Sequence, residues 1–217
     1  MIRIAIDGPG GAGKSTIAKQ VARALDIDYI DTGAMYRAVG YKLIRDNVDM
    51  YDEDALLAML EATDIDFSGG KTILDGEDIS DRIRTQEISR KASECSALAP
   101  VRAKLVELQK KMGSTKSVIM DGRDIGTYVL PDAELKIFLT ATVEERANRR
   151  CRELREKGVE TDFEAVKKDM EYRDKNDSGR EFAPLKPAED SVYMDNTDMT
   201  LEESIDKVCE LARAERE

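Results

Sequence analysis

Residues Gly8-Pro9-Gly10-Gly11-Ala12-Gly13-Lys14-Ser15 match G-x-x-x-x-G-K-[ST] at every position. This run restricts the fold more than any other in the chain, because such a loop works only between a strand and a helix. The glycines let the backbone curl so that successive N–H groups point inward at an anion. The helix that follows adds the partial positive charge of its N-terminus. Both flanking elements are present. Ile2–Ile6 is a short apolar run with the pattern of a buried strand, and from Lys14 apolar residues recur at Ile17, Ala18, Val21, Ala22 and Leu25, one face of a helix. The run predicts a nucleoside triphosphate site in which Gly8, Pro9, Gly10, Gly11, Ala12, Gly13, Lys14, Ser15 and Thr16 surround the phosphates. Lys14 is placed to reach the β and γ phosphates, and the Ser15 hydroxyl to ligate a Mg2+ that accompanies the nucleotide. The plain alternative is a glycine-rich turn with a surface lysine.

Beyond the loop, strand and helix patterns alternate. Asp28–Asp31 reads as a second strand, Thr32-Gly33 as a turn into a helix through Tyr36, Val39 and Leu43, and Glu53–Ala62 as another helix. The period then changes. Ile65-Asp66-Phe67, Ser68-Gly69-Gly70, Thr72-Ile73-Leu74 and Asp75-Gly76 predict short antiparallel strands joined by tight turns. Helices are expected over Thr85–Leu98 and, after Pro100, over Val101–Met112. Val118–Met120, ending at Asp121-Gly122, is a third core strand and Leu135–Leu139 a fourth. Thr142-Val143-Glu144-Glu145 and Thr200-Leu201-Glu202-Glu203 read as capping boxes that open helices, with a fifth strand at Ser191–Met194 between them. The fold class is therefore α/β, a P-loop NTPase-type three-layer fold. It has a five-stranded parallel sheet with right-handed crossovers and a small antiparallel β insert with helices. The expected core is 1–62, 101–157 and 188–217, the insert 63–100. A charged lid over 158–187 shows helical spacing at Phe163, Val166 and Met170.

Composition narrows the chemistry. A net charge of −11 over 217 residues repels polynucleotides and anionic membranes, so the expected anionic partners are small ones held by a few Arg and Lys residues. The chain contains no His, which removes the commonest general base and metal ligand. Cys95, Cys151 and Cys209 lack C-x-x-C spacing and read as buried or incidental thiols in a reducing compartment. Met1–Asp7 is too short and too soon charged for a signal peptide, and no apolar run approaches the ~20 residues that span a bilayer. A cytoplasmic monomer without nucleic-acid or membrane partners is expected.

Asp121 ends an apolar strand, as does the acid that P-loop proteins use to orient magnesium, here through water. In Asp121-Gly122-Arg123-Asp124, an Arg just past a strand end lies in the crevice where α/β sheets bind ligands; a salt-bridged loop is the alternative. Arg37 follows the second strand at the same edge, and two Arg-bearing loops beside a P-loop suggest a phosphorylated acceptor. Arg146, Arg149 and Arg150 share one helix face, while Arg173 and Arg180 flank Asp177. Solvated helix charge is the bland reading of these, yet phosphoryl transfer relies mostly on positioning and cationic clamps.

The chain resembles the bacterial cytidylate kinases, nucleoside-monophosphate kinases of the P-loop class. The likeness lies in I-D-G-P-x-G-A-G-K at Ile6–Lys14, D-T-G-A-M-Y-R at Asp31–Arg37, D-G-E-D-I-S at Asp75–Ser80 and I-R-T-Q-E at Ile83–Glu87. It continues in D-G-R-D-I-G-T at Asp121–Thr127, P-D-A-E-L-K-I-F-L at Pro131–Leu139 and A-P-L-x-P-A at Ala183–Ala188. The resemblance implies a core, a nucleotide-binding insert and a short lid, with ATP as donor and CMP or dCMP as acceptor. By similarity, Arg37 and Arg123 hold the acceptor phosphate, Ser93, Arg102 and Asp124 read the cytosine edge, and Thr32 and Tyr36 line the site. Arg173 and Asp177 reach the sugar, Arg180 the transferring phosphate, and Arg146 with Arg150 closes over ATP. Lys14, Arg123, Arg173 and Arg180 form the catalytic set. Physics agrees at the base: a carboxylate accepts from the cytosine N4 donor, whereas the uracil carbonyl leaves it unpaired, at a cost of about 1–3 kcal/mol. Two rivals stand: a kinase for UMP, AMP or shikimate, and a P-loop switch protein, for which the N-K-x-D motif is missing.

Overall fold

Strand β1 (Arg3–Asp7) carries four buried residues in a row, the pattern of a strand covered on both faces. The structure, a computed structural model, describes residues 1–215 apart from Gly69 and Lys157. It divides into two compact units, one of Met1–Tyr29 with Lys116–Glu217 and one of Ile30–Thr115.

The first unit is built on a five-stranded sheet in the order β2 (Asp28–Asp31), β6 (Val118–Gly122), β1, β7 (Leu135–Thr140), β8 (Val192–Asp195); the unit boundary falls within β2. β1 pairs in parallel with β6 and β7, and β7 with β8. The register sets Asp7 opposite Gly122 and Phe138, so β1 and β6 end together, β7 runs two residues further to Thr140, and the three exits lie at one edge. Helices α1 (Lys14–Leu25) and α8 (Leu201–Ala214) cover the sheet through Ile17, Val21, Leu25, Val208 and Ala212, which share a core with Ile4, Ile6, Ile119 and Leu139. The apolar spacing read from Ile17 to Leu25 is thus the buried face of α1. Helices α6 (Val143–Glu156) and α7 (Phe163–Ser178) pack on each other. Thr200 forms the expected reciprocal capping box with Glu203. At α6 the Thr142 hydroxyl accepts from the Glu145 amide at 3.3 Å, while the Glu145 carboxylate accepts from Arg149.

The second unit contains α2 (Thr32–Arg45), α3 (Glu53–Glu61), the antiparallel strands β3 (Ile65–Ser68), β4 (Lys71–Leu74) and β5 (Glu77–Asp78), then α4 (Gln86–Cys95) and α5 (Ala99–Gly113). Asp75 and Gly76 both have positive φ, +52° and +83°, and join Leu74 to its partner Glu77 as a two-residue hairpin turn requires. Of the other expected turn, Ser68-Gly69-Gly70, Gly69 lies outside the described residues. One boundary needs correction: α5 starts at Ala99, so Pro100 lies in its first turn rather than ahead of the helix. Proline is tolerated there because the N–H it lacks has no acceptor within the helix. A short π-helical turn over Ile125–Val129 has no counterpart in the sequence reading.

The exit from β1 leaves no room for a side chain. Gly8 has φ +148°, and a Cβ there would stand 1.9 Å from the Leu139 carbonyl oxygen. Gly8→Ala is expected to cost more than about 3 kcal/mol, read as a lowered urea midpoint at unchanged m-value.

Candidate functional site

The sequence after Gly8 forms a loop anchored through its carbonyls. The Gly10 carbonyl accepts from Arg146 Nη1 at 3.0 Å, and that of Ala12 accepts from Asn196 Nδ2 at 3.0 Å and Arg149 Nη1 at 3.5 Å. C=O and N–H of one trans peptide point in opposite directions, so these anchors turn the Gly11 and Gly13 amides away from the side chains that hold the carbonyls. Lys14, the first residue of α1, is buried and donates to the Gly8 and Pro9 carbonyls, each at 2.8 Å. Burial, and then the neighbouring Arg123 guanidinium, pull Lys14 down to about 7. An arriving polyanion favours its charged form.

Next to Lys14, the Ser15 hydroxyl donates to Asp121 Oδ2 at 2.8 Å, and the Tyr29 hydroxyl to Asp121 Oδ1 at 2.7 Å. Hydroxyl and carboxylate oxygens are the donor types a hard divalent cation selects. Arg123, two residues on, extends toward the loop, its Nη2 3.6 Å from where a Cβ at Gly10 would lie. Its Nε donates to Asp177 Oδ2 at 2.7 Å, and Arg180 Nη2 donates to Asp177 Oδ1 at 2.5 Å. Burial works against charge on Asp177, but Arg123 and Arg180 outweigh it and hold the carboxyl below its usual range. Asp124 is buried beside Arg123 in the chain.

Arg146, Arg149 and Arg150, on one face of α6, separate. Arg146 is buried and also donates to Asp174 at 2.7 Å. Arg149 donates to Asn196 O at 2.9 Å and Asn196 Oδ1 at 3.1 Å. Arg150 pairs with Glu153 along the helix at 2.7 Å. Arg173 pairs with Asp169 at 3.1 Å rather than with Asp177.

The second unit gathers its own set around the start of α2. Asp31 caps the helix, its Oδ1 accepting from the Ala34 amide at 2.8 Å, and Arg37 Nη2 bonds Asp31 Oδ2 at 3.1 Å. Arg37 Nε is buried and has no hydrogen-bond partner among the described residues. Thr32 is buried in the first turn of α2, and Tyr36 stands four residues along it. The Arg102 guanidinium carbon, on α5, lies 6.0 Å from the Tyr36 ring centroid. Ser93 is exposed on α4.

Three residues at the phosphate loop escaped the sequence reading as site residues: Asp7, Tyr29 and Asn196. Asp7 is buried, and its two carboxylate oxygens accept the Ile125 and Gly126 amides at 2.8 and 2.7 Å. Burial raises it to about 6 despite those two hydrogen bonds. An acid ending an apolar strand was the signal for Asp121, and the same signal stands at Asp7.

Residues 4–214 match the family described as cytidylate kinase. A cytidylate kinase of Caldicellulosiruptor saccharolyticus is 52% identical over 214 residues, 97% of this chain and 95% of that protein. One of Clostridioides difficile is 52% identical over 205 residues, 94% of this chain and 95% of that protein. Among solved structures, a shikimate kinase of Bacteroides thetaiotaomicron superposes with a TM-score of 0.50 at 16% identity, over 98% of each chain; this likeness is one of fold.

The raised Asp7 carboxyl makes stability depend on pH with a definite sign. Its folded value of about 6 lies above its ordinary 3.8. The folded chain therefore binds the extra proton, a contribution complete below the ordinary value and lost as pH rises through about 6. Asp7→Asn lacks it. Between about pH 4 and pH 7 the stability of wild type relative to Asp7→Asn should fall by roughly 2 kcal/mol, measured by urea denaturation at each pH.

Proposed function

The chain belongs to the cytidylate kinase family, and on that premise we propose that it transfers the γ-phosphoryl group of ATP to CMP and dCMP, giving ADP with CDP or dCDP. One observation carries the reading beyond a generic triphosphate site. β1 and β6 end in register at Asp7 and Gly122, so the loop with Arg123 and Asp124 leaves the sheet beside the phosphate loop. A guanidinium aimed at Gly10 from that loop suits an anionic acceptor.

In this proposal Gly8–Thr16 surround the ATP phosphates, with Lys14 on the β and γ groups. Arg37 and Arg123 take the acceptor phosphate; the buried, unbonded Arg37 Nε supports this, since a phosphate oxygen supplies its missing acceptor. Asp124 with Arg102 and Ser93 reads cytosine, Thr32 and Tyr36 line the site, Arg173 and Asp177 serve the sugar, and Arg180 the transferring phosphoryl group. A CMP phosphate oxygen attacks the γ-phosphorus as the bond to the bridging oxygen of ADP breaks. That oxygen is already anionic at neutral pH, so no strong general base is needed, in keeping with a chain without His.

Mg2+ fits the Ser15 and Asp121 oxygens. Among the described residues no three His, Cys, Asp or Glu side chains are grouped to hold a metal unaided, so phosphate oxygens and water would complete its shell. Bound there, it supplies charge neutralisation across the β and γ phosphates. The proposed division into core, acceptor insert (63–100) and lid (158–187) is retained, with closure excluding water. No helix of the described residues is long and apolar enough to cross a membrane; a cytoplasmic monomer is the proposed state.

A coupled assay across nucleoside monophosphates tests the reading, and AMP or UMP outperforming CMP and dCMP refutes it. Asp124→Ala should narrow the CMP-to-UMP ratio of kcat/KM by about 10-fold or more while ATP KM stays within about twofold. Loss of ATP affinity at an unchanged ratio would show Asp124 to be misassigned. For two of the α6 arginines, Arg149→Ala should raise ATP KM by about tenfold and Arg150→Ala by less than about twofold, because Arg149 bonds the Ala12 carbonyl of the phosphate loop whereas Arg150 pairs with Glu153 along its own helix.

A further inference from the structure

Asp7 takes no part in the chemistry above, yet it is the residue that joins the two loops which carry it. It ends β1 one bond before Gly8, whose backbone is wedged under the Leu139 carbonyl. Its oxygens accept the successive amides of Ile125 and Gly126 at 2.8 and 2.7 Å, immediately after Asp124. Those amides open a turn in which the later donors bond backward: Tyr128 and Val129 to the Asp124 carbonyl, Leu130 to that of Ile125. The opening amides of such a turn have no acceptor within it, and Asp7 supplies both. On the other side the stem of Lys136 closes the loop in. A Cβ at Gly126 would lie 3.3 Å from Lys136 Cγ and Cδ and 3.4 Å from Asp7 Oδ2, and Lys136 Nζ is itself held by Asp190 at 2.6 Å.

We propose that Asp7 is a positioning residue for acceptor selection, its two-amide grip on Ile125 and Gly126 setting Asp124 and Arg123 at a fixed place relative to the phosphate loop. The proposal rests on the reading of Asp124 and Arg123 as acceptor-binding residues. A carboxylate is needed because it accepts twice and donates nothing. Asparagine of the same size accepts one amide and turns its own NH2 toward the other, two donors face to face. The loop then shifts at the point where Asp124 leaves it, and a small misplacement of a base-reading group is expensive in selectivity.

Steady-state kinetics of Asp7→Asn and Gly126→Ala, beside Asp124→Ala as reference, test this. Asp7→Asn should raise CMP KM by about tenfold and narrow the CMP-to-UMP ratio of kcat/KM by about fivefold, with ATP KM within about twofold. Gly126→Ala, whose Cβ crowds the Lys136 stem at 3.3 Å beside the same contact without changing charge, should shift both numbers in the same direction by less. A lowered melting temperature with CMP KM and the ratio unchanged would make Asp7 a purely structural residue and overturn the proposal. If Asp7→Asn does not fold, Gly126→Ala decides by the same two numbers. Should Asp124→Ala move the ratio while both loop variants leave it alone, the Asp7 proposal fails by itself. Should Asp124→Ala leave the ratio untouched, the base-reading assignment fails and this proposal with it.

Discussion

Where the chain leaves β1, the Gly8 backbone passes so close to the Leu139 carbonyl that no side chain can stand between them. That contact sets the direction in which the phosphate loop departs. From there the loop is held by its carbonyls, Gly10 to Arg146 and Ala12 to Asn196 and Arg149, and the strand before it by the Asp7 grip on Ile125 and Gly126. Anchors on both sides fix the loop's shape in advance, so under the proposed function binding energy is not spent on ordering it.

In each of the two units the cations sit among carboxylates of their own unit. Arg123 and Arg180 share Asp177, Arg146 faces Asp174, and Arg37 faces Asp31. Partly buried guanidinium groups are costly without such partners. The same partners compete with phosphate, which offers more acceptor oxygens and more charge than one carboxylate. A net charge of −11 is therefore compatible with the proposed polyanion site, because a few local charges under low-dielectric cover outweigh a distant, screened excess.

Much of this was legible in advance, and the gaps have specific causes. Strands with long apolar runs, the hairpin turn at Asp75-Gly76 and the Thr200 capping box all depend on short-range chemistry, and each stands where the sequence puts it. Pro100 misled because a proline marks a helix start as readily from within the first turn as from before it. Helical spacing placed Arg146, Arg149 and Arg150 on one face but did not say which of them turns to the loop. That depends on Asn196, 47 residues further on from Arg149. Arg173 likewise takes Asp169, four residues back, rather than Asp177, four residues on, a choice that spacing alone does not rank.

The sequence by itself determined the Gly8–Ser15 loop, the α/β order of elements and, through D-G-R-D-I-G-T and its companions, the family. Each is written in consecutive residues, where backbone geometry and hydrophobic period act locally. Only the tertiary structure decided what holds that loop. Asp7 reaches Ile125, Asn196 reaches Ala12, and Tyr29 reaches Asp121, pairs separated by 118, 184 and 92 positions. A parallel sheet joins strands distant in the chain, so which polar groups meet at its edge follows from strand order and register. No local pattern encodes those two quantities.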